Sequence, residues 1–419
     1  MERKVPTIRS HLRLPHTTGI GPQPYLTLPV QEARSLLLPK PRRSEEPALS
    51  DAPPNLRGGA ERRATRRAPR SQAQESRTHK LRFWLFAANL LYILFLGALT
   101  YANAMGPERW WWSGLNLYLP QWLWGVPGLL ILIASLRIAW RWAWAPLLCL
   151  VWVAGPLMGL CWGTEPPTSA VAGKSGLRLM SYNVKFGKRD LSAIMEEITR
   201  QKPDLLLLQD SNGLMNGEER RVLPLRHFLE DRDKENRSLR AVRQFVFASK
   251  IPYDRPHTPA LVNSDAHTYY KTKVMVGSTV VTVYDVHLLT PRNGLTAVKT
   301  EAEEGISTFE DNVAVRLHEV RVLAELIRQE EGPVIVAGDF NAPDASMVVQ
   351  IMKEAGLHDA FIEAGKGYGY TYGHDLRFRH SYMRIDHIFL SKHWRAVHCW
   401  TGTAEGSDHR PVIADLILR

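Results

Sequence analysis

Apolar and polar positions divide the chain into three unlike stretches. Residues 1–80 carry no apolar periodicity and are broken by Arg42-Arg43, Arg62-Arg63 and Arg66-Arg67. That pattern predicts a disordered basic tail. From Leu81 to about Trp162 apolar residues dominate, and the stretch 81–163 reads as a membrane region. Three runs within it, 83–102, 119–138 and 142–162, meet the ~20 mostly apolar residues that a bilayer crossing needs. Trp110-Trp111-Trp112, Trp140 and Trp142 fall where interfacial aromatics are expected. Residues 164–176 are rich in Pro, Ser and Gly and read as a linker.

Beyond the linker, over 177–419, the period changes to short strands alternating with helices. Strands are expected at 177–184, 204–209, 279–288, 333–338 and 384–390, with a last apolar run at 411–418. Helical spacing covers 190–201 and 310–330, the latter placing Val313, Leu317, Val320, Ala324 and Ile327 on one face. The result is an α/β region of about 240 residues, long enough for a full core. No internal repeat is visible.

Charge refines the picture of the tail. The chain has a net charge of +11, which by itself suggests a nucleic-acid partner. Residues 1–80, however, hold 16 Lys+Arg against 7 Asp+Glu, whereas 165–419 hold 33 against 34. The basic excess therefore belongs to the tail and the apolar region, and the α/β region is near neutral. The tail reads either as an arm contacting anionic lipid or nucleic acid, or as a solvated segment that sets topology. By the positive-inside rule it lies in the cytoplasm. Three crossings then predict an integral membrane protein with its α/β region outside the cytoplasm. The three cysteines, Cys149, Cys161 and Cys399, form neither a disulfide framework nor a zinc-type spacing.

Candidate chemistry collects at strand ends. Asn183 ends one strand, Asp210 follows another, and His287 lies near the end of a third. Asp339 and Asn341 follow Pro333–Gly338, Asp386 lies in the 384–390 strand, and Asp408-His409 precede the last apolar run. In open α/β sheets, loops at such ends converge on one crevice. Carboxylate and amide oxygens suit Mg2+ or Mn2+ better than zinc. Taken singly, each position has an ordinary reading. Asn183 and Asp339–Pro343 contain turn formers, Asp210-Ser211-Asn212-Gly213 could open a polar loop, Asp386-His387 could be a satisfied pair, and His287 could be structural.

In order along the chain, six motifs resemble the endonuclease/exonuclease/phosphatase superfamily. They are Ser181-Tyr182-Asn183-Val184, Leu208-Gln209-Asp210, Asp285-Val286-His287-Leu288, Gly338-Asp339-Phe340-Asn341, Arg384-Ile385-Asp386-His387 and Ser407-Asp408-His409-Arg410-Pro411-Val412. The resemblance spans about 177–417. It implies a four-layer α/β sandwich of two packed mixed β-sheets flanked by helices, preceded here by the three-helix transmembrane region. It also implies a divalent-metal-dependent phosphoesterase. By motif, Asp210, Asp408 and Asn183 would form the metal environment. Asn183, Asn341, His287 and His409 would contact the substrate phosphate. Asp339 would position or deprotonate the attacking water, and Asp386 would orient His409 and keep it charged.

One position departs from the family pattern, which usually has Glu where this chain has Asp210. The shorter side chain calls for a backbone shift or a bridging water. Tethering and near-neutral charge favour a small phosphoester or lipid headgroup. An extracytoplasmic DNA endonuclease or exonuclease is the alternative, and a catalytically degenerate binding module is a third.

Overall fold

In a computed structural model of the 419-residue chain, the residues described are 72–164, 166–167, 173–211, 238–254, 257–261, 268–376 and 379–419. Most of the basic tail and of the segment after Asp210 lies outside them. The first helix, α1 (Gln72–Met105), begins within the last residues assigned to the tail. It is followed by α2 (Trp111–Asn116), α3 (Gly125–Ile138) and α4 (Trp144–Trp152). Two segments, Glu75–Met105 and Gln121–Ile138, are long and apolar enough to cross a membrane.

The third run departs from the expected full span over 142–162. Nine residues of α4 pass into a five-residue π-turn, Val153–Leu157, that contains Pro156. Proline lacks the N–H that would continue the α-helical ladder. Cys161 and Trp162 then form strand β1, paired with Gly367 and Lys366 of a later strand, so these residues belong to the α/β packing.

Thirteen strands are described, β1 being the first: β2 (Gly176–Asn183), β3 (Leu205–Gln209), β4 (Ser238–Val242), β5 (Phe245–Ser249), β6 (Tyr269–Val276), β7 (Thr279–His287), β8 (Val334–Asp339), β9 (Leu357–Asp359), β10 (Lys366–Gly367), β11 (Asp386–Ser391), β12 (Trp394–Thr401) and β13 (Val412–Leu418). One sheet runs β12-β13-β2-β3-β5-β4 and the other β6-β7-β8-β11-β9. Both are mixed, because β2–β3 and β7–β8 are parallel while their other pairings are antiparallel. The helices of this region are α5 (Leu191–Gln201), α6 (Arg292–Thr300), α7 (Ala302–Arg328), α8 (Met347–Glu354) and α9 (Ala360–Ala364).

Side-chain alternation builds the layers. Along β3, Leu205 and Leu207 join the core between the sheets, whereas Leu206 and Leu208 face α5 through Ile194 and Ile198. Such strands, buried on both faces, read as continuous apolar runs. The second sheet meets α7 and α8 on its outer face, where Val313, Leu317, Val320 and Ile327 pack with Val336 and Phe389. Asp190 caps α5, its carboxylate accepting from Ala193 N at 3.0 Å. Two sheets thus lie face to face with helices outside, and the ends of β2, β3, β7 and β8 open at one edge.

Gly338 shows how tightly β7 and β8 close. It sits at φ 146°, and a Cβ there would overlap the Val286 carbonyl, so only glycine is compatible with the pairing.

Candidate active site

The residues singled out from the sequence converge at that open edge. A cavity of about 480 Å3 is lined by Asn183, Asp210, His287, Asp339, Asn341, Asp408 and His409. Asp386 sits directly behind His409. Asp339, at the end of β8, is the hub. Its Oδ2 accepts from Asn183 Nδ2 at 2.9 Å and its Oδ1 from the Asn341 backbone N–H at 2.8 Å. His287 Nε2 and His409 Nε2 approach the same Oδ2 at 3.5 and 3.7 Å.

On its other side, His409 Nδ1 lies 3.1 and 2.9 Å from the two oxygens of Asp386. Burial disfavours an imidazolium, but Asp386, then Asp339, outweigh it and raise His409 to about 10. The ring is therefore charged at neutral pH. Burial also raises the Asp339 carboxyl above its ordinary range, against the pull of His409. Asp339, Asp386 and His409 lie close enough together to hold a cation. With the imidazolium already seated between the two carboxylates, the proton occupies that role.

Asp210, Asp408 and Asn183 supply further oxygen atoms to the same cavity wall. Asp210 is the least committed: it lies just beyond β3, is partly exposed, and has His287 Nδ1 3.6 Å from its Oδ1. Asn183 Oδ1 accepts from the Lys185 backbone N–H at 3.0 Å. Asp408 is paired with the Lys185 ammonium. Burial raises its carboxyl, but His409 and Lys185 bring it below the usual range. An all-oxygen set of this kind has the donor chemistry of a hard divalent cation. It does not resemble a zinc site.

Several contributors were not legible in the sequence. Gln244 Oε1 meets His287 Nδ1 at 2.6 Å, fixing which ring nitrogen faces Asp339. The ring of Tyr372 lies 4.9 Å from that of His409. Arg292 and Lys299, on α6, line the cavity and add positive charge. Asn341 is held from behind, its carbonyl accepting from Arg316 Nη1 at 2.9 Å and from Tyr118 Oη at 3.3 Å. Tyr118 comes from the apolar region and also lines the cavity.

Backbone conformation adds another mark. Lys185, Phe186, Asp210 and Asn341 all line the cavity at φ 44°, 58°, 49° and 51°. Asn and Asp tolerate this left-handed region, whereas Lys and Phe adopt it under strain, and such strain concentrates at functional sites.

Not every polar motif residue reaches the cavity. His387 is bonded inside the fold, through Nδ1 to Asp359 Oδ2 at 3.0 Å and Nε2 to the Ala342 carbonyl at 2.9 Å. Asp285 is fully buried between the sheets, accepting from Gln209 Nε2 at 2.6 Å, and burial pushes its carboxyl well up.

With this geometry in place, known proteins add the following. The sequence profile described as the Endonuclease/Exonuclease/phosphatase family matches residues 180–409. A comparison with curated proteins returns no match. Among solved structures, the chain is similar to an endonuclease/exonuclease/phosphatase from Beutenbergia cavernae, at 19% identity, over 58% of this chain and 72% of that one, TM-score 0.43. It is similar to one from Bacteroides vulgatus, at 19% identity over 59% and 100%, TM-score 0.43. It is also similar to D. rerio TDP2 complexed with a single-strand DNA product, at 17% identity over 58% and 99%, TM-score 0.43.

Proposed function

The chain belongs to the endonuclease/exonuclease/phosphatase family, and on that premise we propose that it is a membrane-tethered, divalent-metal-dependent phosphoesterase. It hydrolyses a phosphodiester or phosphomonoester by in-line attack of water, and its substrate is a small phosphoester or a lipid headgroup. The observation that carries this reading is the line Asp386–His409–Asp339, in which a buried imidazolium is held by one carboxylate and faces another at the cavity wall.

Each residue then has a physical task. Asp339, raised by burial and fixed by Asn183 and the Asn341 N–H, aligns the attacking water and takes its proton. His409 presents Nε2–H to a phosphoryl oxygen, and Asp386 fixes the ring and its charge. His287, oriented by Gln244, and the Asn341 and Asn183 amides hold the remaining phosphoryl oxygens. Lys185, Arg292 and Lys299 favour an anionic ligand electrostatically. Asp210, Asp408 and Asn183 would hold a divalent ion, Mg2+ or Mn2+, which would neutralise charge on the phosphate.

Membrane tethering is supported by the exposure of the apolar helices. The apolar windows within Glu75–Met105 and Gln121–Ile138 are only 28% and 11% buried, unlike core helices of a soluble protein. The helical region meets the α/β layers just after α1 and again after α4. Met347 N donates to Glu108 Oε2 at 2.9 Å, and Gly163 N to the Gly365 carbonyl at 2.7 Å. On this reading the α3–α4 hairpin leaves and returns to one side and α1 is the crossing that carries the chain through the membrane. With the basic tail cytoplasmic, the active site lies outside the cytoplasm.

The lipid or small-ester preference rests on Tyr118, Phe186, Leu295 and Met383 in the cavity wall, next to the apolar helices. A substrate panel tests it. The full chain in detergent is offered phospholipid vesicles, plasmid DNA and a chromogenic phosphodiester. Turnover of the vesicles or the chromogenic ester above that of plasmid is expected. Cleavage of plasmid alone overturns the substrate reading and leaves the hydrolase.

A further inference from the structure

The end of α1 and the segment leading to α3 take hold of the loop that follows β8. Glu108 accepts from Met347 N at 2.9 Å and from the Ser346 hydroxyl, at the start of α8. Gln350 Nε2 donates to the Asn103 carbonyl at 3.3 Å. Tyr118, two residues beyond α2, donates its hydroxyl to the Asn341 carbonyl at 3.3 Å. Residues 103–118 are thus tied to the loop and α8 at Asn341, Met347 and Gln350. Between the ties, Pro343, Asp344 and Ala345 line a second cavity, of about 230 Å3, that shares Tyr382 and Met383 with the catalytic one. Packing is incomplete beside that space, so the ties carry more of the loop's positioning.

The tie at Asn341 reaches the chemistry. Asn341 sits in the left-handed region at φ 51°, a conformation that persists only where its surroundings fix it. Its N–H donates to Asp339 Oδ1 at 2.8 Å and its Nδ2 to the Leu288 carbonyl at 3.0 Å. Its carbonyl is held separately, by Arg316 Nη1 at 2.9 Å and by Tyr118. Arg316, itself fully buried, also donates to the Tyr118 oxygen. Guanidinium, phenol and carbonyl therefore close on one another. Burying a charge is costly unless it is hydrogen-bonded. Loss of the phenol oxygen would remove one of the acceptors that keep the guanidinium on the carbonyl, as well as the phenol's own bond. The Asn341 peptide would loosen, and with it the N–H that fixes Asp339.

We propose that Tyr118 is a positioning residue for the hydrolysis, supplied by the helical region, and that the strand-end site is complete only while that region holds the loop after β8. The inference rests on the hydrolase reading above. Tyr118 acts on Asn341 and, through it, on Asp339, so its hydroxyl serves the reacting geometry and not the first capture of substrate. The test compares the full chain in detergent with its Tyr118→Phe and Glu108→Gln variants, on a chromogenic phosphodiester with Mg2+. Phenylalanine keeps the ring in the cavity wall and removes the hydroxyl alone. Glu108 ties the same loop further along, at Ser346 and Met347, and so serves as the packing control. Rates are compared below the lowest thermal midpoint of the three proteins. Tyr118→Phe should lower kcat about tenfold with KM within about twofold of wild type. Glu108→Gln should lower the thermal midpoint while kcat stays within about twofold. A wild-type kcat in Tyr118→Phe overturns the proposal. So does a loss of kcat that Glu108→Gln shares, which would make both residues packing groups, and so does a Tyr118→Phe chain that does not fold. If the wild type itself turns over no phosphoester, the hydrolase reading falls and this inference falls with it.

Discussion

Two cavities meet at Tyr382 and Met383, and they treat charge in opposite ways. At the strand ends, Lys185 is paired with Asp408 and His409 with Asp386, while Arg292, Lys299 and Asp210 line the same open space. At the helical junction, Arg384 is neutralised by Asp344 and Asp359. What separates a reactive site from an inert polar one is therefore whether charges are spent on each other. The junction wall holds one carboxylate and one cation, paired with each other, whereas the strand-end wall holds several of each around open space.

The largest effect should come from removing the charge at the reactive cavity. His409→Ala is expected to lower hydrolysis by about three orders of magnitude, by loss of the transition-state donor, with the circular dichroism spectrum unchanged. Near-wild-type turnover would instead make His409 a bystander.

The junction side predicts a stability effect. Asp359 is held below the ordinary carboxylate range; burial opposes this, and Arg384 and His387 overcome it. A depressed carboxyl contributes stability above its unfolded pKa of about 4, and that contribution is lost as pH falls below it. Asp359→Asn should cost about 3 kcal/mol at neutral pH, since it breaks a buried pair. The gap from wild type should narrow on acidification, as followed by denaturant melts. A gap that stays constant from pH 7 to pH 3 would show that the ionised form carries no stability.

Lys185→Met removes a cation that meets an anionic substrate before as well as during reaction. It should raise KM about tenfold and change kcat less. A fall in kcat alone would place Lys185 in the transition state only. The smallest change is expected of Asp210→Glu, which restores the longer family side chain. Activity should stay within about threefold of wild type or rise, with tighter metal dependence, because the ligand oxygen is retained. A collapse in activity would mean that the φ 49° backbone at Asp210 has already been adapted to the shorter carboxylate.

The two cavities were unequally legible in the sequence. The strand-end residues could be read because each sits at a fixed offset from an apolar run: Asp339 and Asn341 directly after β8, His287 at the end of β7, Asn183 at the end of β2. The parallel, doubly buried strands were legible for the same reason. Gln244, Tyr372 and Arg292 were not, since they lie in a turn, in an isolated β-bridge and on an exposed helix face, where pattern carries no information about reach. The strained turn at Lys185-Phe186 was hidden because it contains no glycine before Gly187. The third apolar run looked long enough to span a membrane, and Pro156 and the β1–β10 pairing are what shorten it. The junction cavity could not be foreseen at all, because its walls come from the helical region and from the distant residues 343–345 and 382–384, which meet only in three dimensions.

Whether the strand-end cavity is a metal-dependent hydrolase is tested most directly by assaying the full chain on a chromogenic phosphodiester before and after EDTA. Turnover should fall to background with the chelator, return with added Mg2+ or Mn2+, and be absent from His409→Ala under both conditions. Hydrolysis that persists unchanged in EDTA, or no hydrolysis of any phosphoester at millimolar metal, would contradict it.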